Sequence, residues 1–260
     1  MKTRLAALLT AALVAVPLST GAQTPPPPSV PLTAFSVQFG VTARGVTAAE
    51  ANYTYTFGGG RYSATASHRL TGVARTMGGS SQDYSYSVSG IQDADGDLRP
   101  RSYRHSGGSR NRVVQVAFSD SNAVTTATPT MGMGNPPATP AQRANTIDQV
   151  TMMAQLLVSR GDPCSQTLRI FMEGRRRFDL VMTPRGTERV NIAGFRGEAR
   201  RCSVRFTPIA GFSDPTSAST LTFLLAPVNG YYVPIRIQMP TDDAGLVTLQ
   251  ARRYSLTGRR

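Results

Sequence analysis

From Phe35 onward, hydrophobic residues recur at every second position. Phe35, Val37, Phe39 and Val41 alternate with small or polar residues, and Tyr53, Tyr55 and Phe57 repeat the pattern. A period of two is the mark of a half-buried strand. Gly58-Gly59-Gly60 supplies a turn, after which RYSATASHRL continues as a strand. YSYSVSG from Tyr84, RVVQVAF from Arg112 and AVTTAT from Ala123 read the same way. After the middle of the chain, TLRIFM and RRRFDLVM flank Glu173-Gly174, a hairpin signal. ERVNIAGF, EARRCSVRFTPI, STLTFLLAP, YYVPIRIQMP and LVTLQARRYSL complete a set of about a dozen strands.

One segment breaks the alternation. TIDQVTMMAQLLVSRG places Ile147, Val150, Ala154, Leu157 and Val158 on one face at helical spacing. Thr146 and Gln149 have the spacing of a capping box, and Gly161 and Pro163 end the helix. The preceding PTMGMGNPPATPAQ reads as loop. No repeat or domain break interrupts the strands. The pattern therefore predicts a mainly β domain, a large antiparallel sheet curled into an open or spiral barrel around one central α-helix.

The N-terminus reads differently. Lys2 and Arg4 precede the apolar run Leu5 to Val16, Pro17 ends it, and Thr20-Gly21-Ala22 offers small residues for cleavage. This is the layout of a secretory signal over residues 1–22. The run is shorter than the roughly 20 residues that span a bilayer. Residues 23–33, with TPPPPSVP at their centre, are expected to be a proline-rich tether, and 34–260 the single β-rich domain. A membrane-spanning barrel is not expected, because the strands lack a uniform apolar outer face with aromatic girdles. The periplasm is the expected location. Cys164 and Cys202 are the two cysteines, and an even count in an oxidising compartment predicts one disulfide.

Charge narrows the chemistry less than its size suggests. The formal net charge is +13, and Lys2 is the one lysine among the basic residues. Nucleic acid is not an expected partner, since no helix-turn-helix, zinc finger or aromatic RNA-binding signature occurs and export removes the opportunity. In FMEGRRRFDL, strand alternation sends Arg175 and Arg177 to one face and Arg176 to the other, so the three cannot form one phosphate clamp. DADGDLRP from Asp93 lacks the glycine and glutamate positions of a calcium loop and reads as a tight turn. Met131 and Met133 resemble a Cu(I) thioether pair without further ligands. His68 and His105 are the two histidines. Neither a G-x-S-x-G elbow nor a His-Glu-x-x-His pattern is present. No catalytic, metal or cofactor residue is therefore assigned.

The order of short motifs carries a resemblance. GRYSATASHRLTGVA, DGDLRPRSYRH, TIDQVT, FMEGRRRFDL, GEARRCSV, PIAGF and YYVPIRI follow one another within the stretch from Phe35 to Tyr254. In this it resembles the domain-of-unknown-function 3108 family of exported proteobacterial proteins. The resemblance implies no catalytic residues. A helix cradled by a curved sheet is also similar to the periplasmic lipoprotein carriers, an analogy of fold alone. The expected function is that of a non-enzymatic cell-envelope protein, holding a lipid, acyl chain or lipoprotein segment in the concave face. The alternative is a closed-core module binding anionic envelope glycans or a protein partner. Arg175, Arg176, Arg177, Arg200 and Arg201 are the expected anion-binding rim.

Overall fold

The computed structural model describes residues 31–78, 83–241 and 244–258. The signal-like segment and nearly all of the proline-rich tether lie outside them. Thirteen strands form one antiparallel sheet. The first seven are β1 (Leu32–Ala43), β2 (Val46–Gly58), β3 (Arg61–Leu70), β4 (Tyr84–Gln92), β5 (Leu98–Gly107), β6 (Arg112–Phe118) and β7 (Ala123–Thr128). Then come β8 (Thr167–Met172), β9 (Arg176–Ile192), β10 (Phe195–Ala210), β11 (Ser219–Val228), β12 (Tyr231–Thr241) and β13 (Gly245–Gly258). The sheet consists of two meanders. β1 to β7 run outward in chain order, β8 to β13 return, and β13 pairs with β1. β1 thus begins two residues inside the expected tether. From Arg176 to Ile192 the expected strands RRRFDLVM and ERVNIAGF are one continuous element, β9, with a bulge opposite β10 between Pro184 and Thr187.

Among the described residues, three helices accompany the sheet: α1 (Gly72–Gly78), α2 (Pro140–Arg143) and α3 (Gln149–Val158). The first two were not legible in the pattern, being of one or two turns. α3 is the expected central helix. Val150, Met153, Ala154, Leu156 and Leu157 are all at most 2% exposed, and the polar Thr151 and Gln155 are buried beside them. Its N-cap is Asp148, whose Oδ1 accepts the Val150 and Thr151 amides, and not Thr146.

On part of the inner face of the curled sheet, rings stand opposite small residues. Tyr55 pairs with Ala64 and Tyr53 with Ala66, which leaves room for a helix beside the rings. Strand twist then closes the wall around it. Polar contacts fix the helix in place. Tyr55 Oη donates to the Val150 carbonyl at 2.8 Å, Tyr62 Oη bonds Thr151 Oγ1 at 2.7 Å, and the Leu98 amide donates to Gln155 Oε1 at 2.7 Å. After α3 the chain is clipped to β10 by the Cys164–Cys202 disulfide, whose Cα atoms are 5.2 Å apart.

The two ends of the sheet, β7 and β8, meet across a seam. The β8 edge is partly covered by Ile147, which forms a parallel bridge to Ile170 and takes up edge groups that would otherwise invite pairing. Farther along, Thr125 Oγ1 of β7 donates to the Gly174 carbonyl at 2.7 Å. Gly174 adopts φ +71°, and a Cβ there would lie 2.8 Å from the Thr125 methyl, so both backbone and space require glycine. Among the described residues, no helix is long and apolar enough to cross a membrane.

Candidate functional site

The turn between β8 and β9 positions the site. Glu173 and Gly174 are its central residues, with φ of +54° and +71°, as a tight hairpin turn requires. Arg175 follows within the turn, and β9 starts only at Arg176. Strand alternation therefore does not apply between Arg175 and Arg176. Both line a recess of about 330 Å³ with Glu173, Arg110, Arg112 and His105. Tyr84 and Met131 form further parts of its wall, without Met133.

The guanidiniums are held by their own contacts. Arg112 donates from Nε to the Pro129 carbonyl (3.0 Å) and from Nη2 to the Thr130 carbonyl (3.2 Å). Arg175 Nη1 donates to Ser213 Oγ at 3.0 Å, and Arg176 Nη1 pairs with Glu173 Oε2 at 3.0 Å. Arg110 is exposed at the mouth. Burial pushes the Arg175 pKa below its usual value, and Arg176 and Arg112 push the same way against Glu173. Repulsion of that kind arises where cations are gathered without enough anions to match them.

The floor is aromatic. Tyr84, Tyr86, Tyr103 and His105 pack as neighbouring rings, with centroids 5.7 to 6.4 Å apart. His105 is 7% exposed, and burial lowers its pKa, with Glu173 opposing and Arg112 assisting. His68 lies deeper in the same layer. Its Nε2 bonds Tyr53 Oη at 2.9 Å and its Nδ1 bonds Tyr86 Oη at 3.2 Å, and burial lowers its pKa to about 4. His68 is thus a linking group within the core.

The expected rim is divided by the fold. Arg175 and Arg176 share the recess. Arg177 does not belong to a rim at all: it is 3% exposed, pairs with Asp179 at 2.6 Å, and donates to the carbonyls of Gln142 and Phe178. The loop carrying α2 covers this part of the outer face, which alternation alone could not reveal. Arg200 and Arg201 lie far away. Arg177 pairs with Ala210 and Arg200 with Thr187, ten residues apart in β9 and hence about 33 Å of strand. Arg200 is engaged by Asp162 beside the disulfide, and Arg201 faces Glu188 at 3.9 Å. Arg110, Arg112 and His105 were missed as site residues because they come from β5, β6 and the turn between them, remote in sequence from the hairpin. The signal available was SGGSRNR, whose glycines turn two arginines back toward His105.

At Asp93 the expected turn is present, with Oδ1 accepting the Asp95 and Asp97 amides and Oδ2 accepting from Arg99. Among the described residues, no group of three or more His, Cys, Asp or Glu is placed to hold a metal ion.

The family described as "Protein of unknown function (DUF3108)" matches residues 34–252, the whole sheet apart from its first and last few residues. The chain belongs to the DUF3108 family. No curated protein matches it. Among solved structures, this DUF3108 chain is similar to that described as "Structure of PNGF-II in C2 space group", at 9% identity and a TM-score of 0.30. The match covers 87% of this chain and 28% of that one, so the DUF3108 chain spans little more than a quarter of that protein's length.

Proposed function

We propose that this DUF3108 protein is an exported, non-enzymatic binding protein of the cell envelope. It holds the anionic group of an envelope glycan in the arginine recess. The observation that carries this reading is the charge count. Four guanidiniums and one carboxylate line about 330 Å³, which leaves three positive charges for a ligand to neutralise. Guanidinium forks bind carboxylate and phosphate oxygens directionally, and the Tyr84 ring offers a sugar an apolar surface. Periplasmic residence agrees with the signal-like N-terminus and with a disulfide, which persists in oxidising compartments.

The second reading has the curled sheet holding a lipid, acyl chain or lipoprotein segment. α3 and the inward tyrosines occupy the concave face, so such a ligand is left the seam. There Leu98, Phe118, Ile147 and Leu168 contribute to a cavity of about 580 Å³ among polar groups. Calorimetric titration with sulfate, phosphate and an acidic sugar separates the readings. Glycan binding through the recess should weaken steeply with salt and be lost in an Arg112→Gln, Arg175→Gln double variant. A lipid that co-purifies and survives high salt in native mass spectrometry, with no anion binding, would replace it by the second reading.

A further inference from the structure

We propose that His105 donates a neutral hydrogen bond from Nε2 to an oxyanion in the arginine recess, its tautomer set by a one-way relay starting at the Glu173 amide. This rests on the anion-binding reading above and adds a specificity residue to it. The relay crosses three elements. In the β8–β9 turn, the Glu173 backbone N–H donates to Gln149 Oε1 of α3 at 3.4 Å. That contact orients the amide, since reversing it would set two donors against each other. Gln149 Nε2 then donates to Tyr103 Oη of β5 at 2.7 Å.

Tyr103 is 1% exposed, so its own hydroxyl hydrogen needs a protein acceptor. The Gln149 nitrogen has no lone pair to offer. The remaining neighbour is His105 Nδ1, at 3.1 Å. Nδ1 therefore accepts, and the single proton of the neutral imidazole resides on Nε2. Among the described residues Nε2 has no hydrogen-bond partner, yet it is not among the buried atoms left unsatisfied, so it reaches the recess that His105 lines.

The surroundings keep the ring uncharged at neutral pH. Tyr84 and Tyr86 face it from β4, Tyr103 from its own strand, Arg112 from β6, and Glu173 from the turn. Burial and Arg112 depress its pKa, while Glu173 opposes them. An uncharged donor suits a site already crowded with cations. It adds direction toward an acceptor oxygen without adding repulsion, which favours sulfate, phosphate or carboxylate groups over apolar ligands.

Two measurements on the mature full-length chain test this. Nitrogen chemical shifts of the His105 ring in ligand-free protein should report the Nε2-protonated tautomer from pH 7 to 9, and Gln149→Leu should convert it to a mixture. Sulfate, whose charge is constant over that range, is the binding probe. Its affinity should be flat with pH, fall about ten- to hundredfold in His105→Phe, and be largely retained in His105→Gln, which keeps a donor. An Nδ1-protonated ring, affinity that falls as pH rises from 7 to 9, or unchanged binding by His105→Phe would overturn the proposal alone. Failure of the wild-type chain to bind sulfate, phosphate and an acidic sugar would overturn the anion reading and this one with it.

Discussion

Asp148 is a carboxylate buried against the curled sheet, and its replacement tests how the central helix is held. It is fully buried at the α3 N-terminus. Oδ1 accepts the Val150 amide at 2.8 Å and the Thr151 amide at 2.9 Å, while Oδ2 accepts the Thr151 hydroxyl at 2.6 Å. Asp148→Ala strands two amides in a dry interior, so it should cost about 2–3 kcal/mol, the upper range for a cap. Asp148→Asn keeps an acceptor for both amides and can donate to Thr151 Oγ1. It also removes the penalty of burying a charge. That penalty raises the Asp148 pKa above its usual value, although the hydrogen bonds oppose it. The folded state then holds the proton more tightly than the unfolded chain. Stability from this group is therefore fully present below the unfolded carboxyl pKa and is lost as pH rises through the folded value. Urea unfolding at pH 4 to 8 should show the advantage of wild type over Asp148→Asn shrinking as pH rises. By pH 7 the asparagine variant should be at least as stable, with an unchanged m-value. If Asp148→Asn loses as much as Asp148→Ala at pH 7, the negative charge itself is required and the desolvation reasoning is wrong.

Three further outcomes are expected from the same assay. Cys164→Ser with Cys202→Ser opens a loop of 38 residues, and chain entropy puts the loss at about 4 kcal/mol; an unchanged midpoint would mean that the Asp162–Arg200 pair and local packing already hold this junction. Arg177→Gln should destabilise by about 2–3 kcal/mol, because it leaves the buried Asp179 Oδ1 without the guanidinium that it pairs with. Arg175→Gln, at the lip of the recess, should change stability by less than about 1 kcal/mol, and equal losses for both would refute the distinction between covered and rim arginines.

The local signals read well where the local chain decided the outcome. The period of two located nearly every strand, and the one apolar run at helical spacing located α3. Glu173-Gly174 produced the tight turn that its residue types favour. Errors arose where a neighbour remote in sequence decided or where an element began a residue or two from its expected start. Arg177 was expected on the anion-binding rim, yet the α2 loop lies over it. Arg175 and Arg176 were assigned to opposite faces, yet a turn residue is not bound by strand alternation. Thr146 looked like a helix cap because of its spacing, but Asp148 is nearer the first free amides.

Taken alone, the sequence determined the mainly β architecture, the enclosed helix, the disulfide partners and the family, since period, composition and cysteine count are properties of the chain itself. Tertiary structure alone decided which arginines meet. Arg110 and Arg112 reach Arg175 and Arg176 because the ends of a thirteen-stranded sheet curl until Thr125 bonds Gly174 across the seam. The His105 relay likewise joins α3, β5 and the β8–β9 turn. Closure of a curled sheet brings such residues together through long-range packing, and no local window of sequence carries that information.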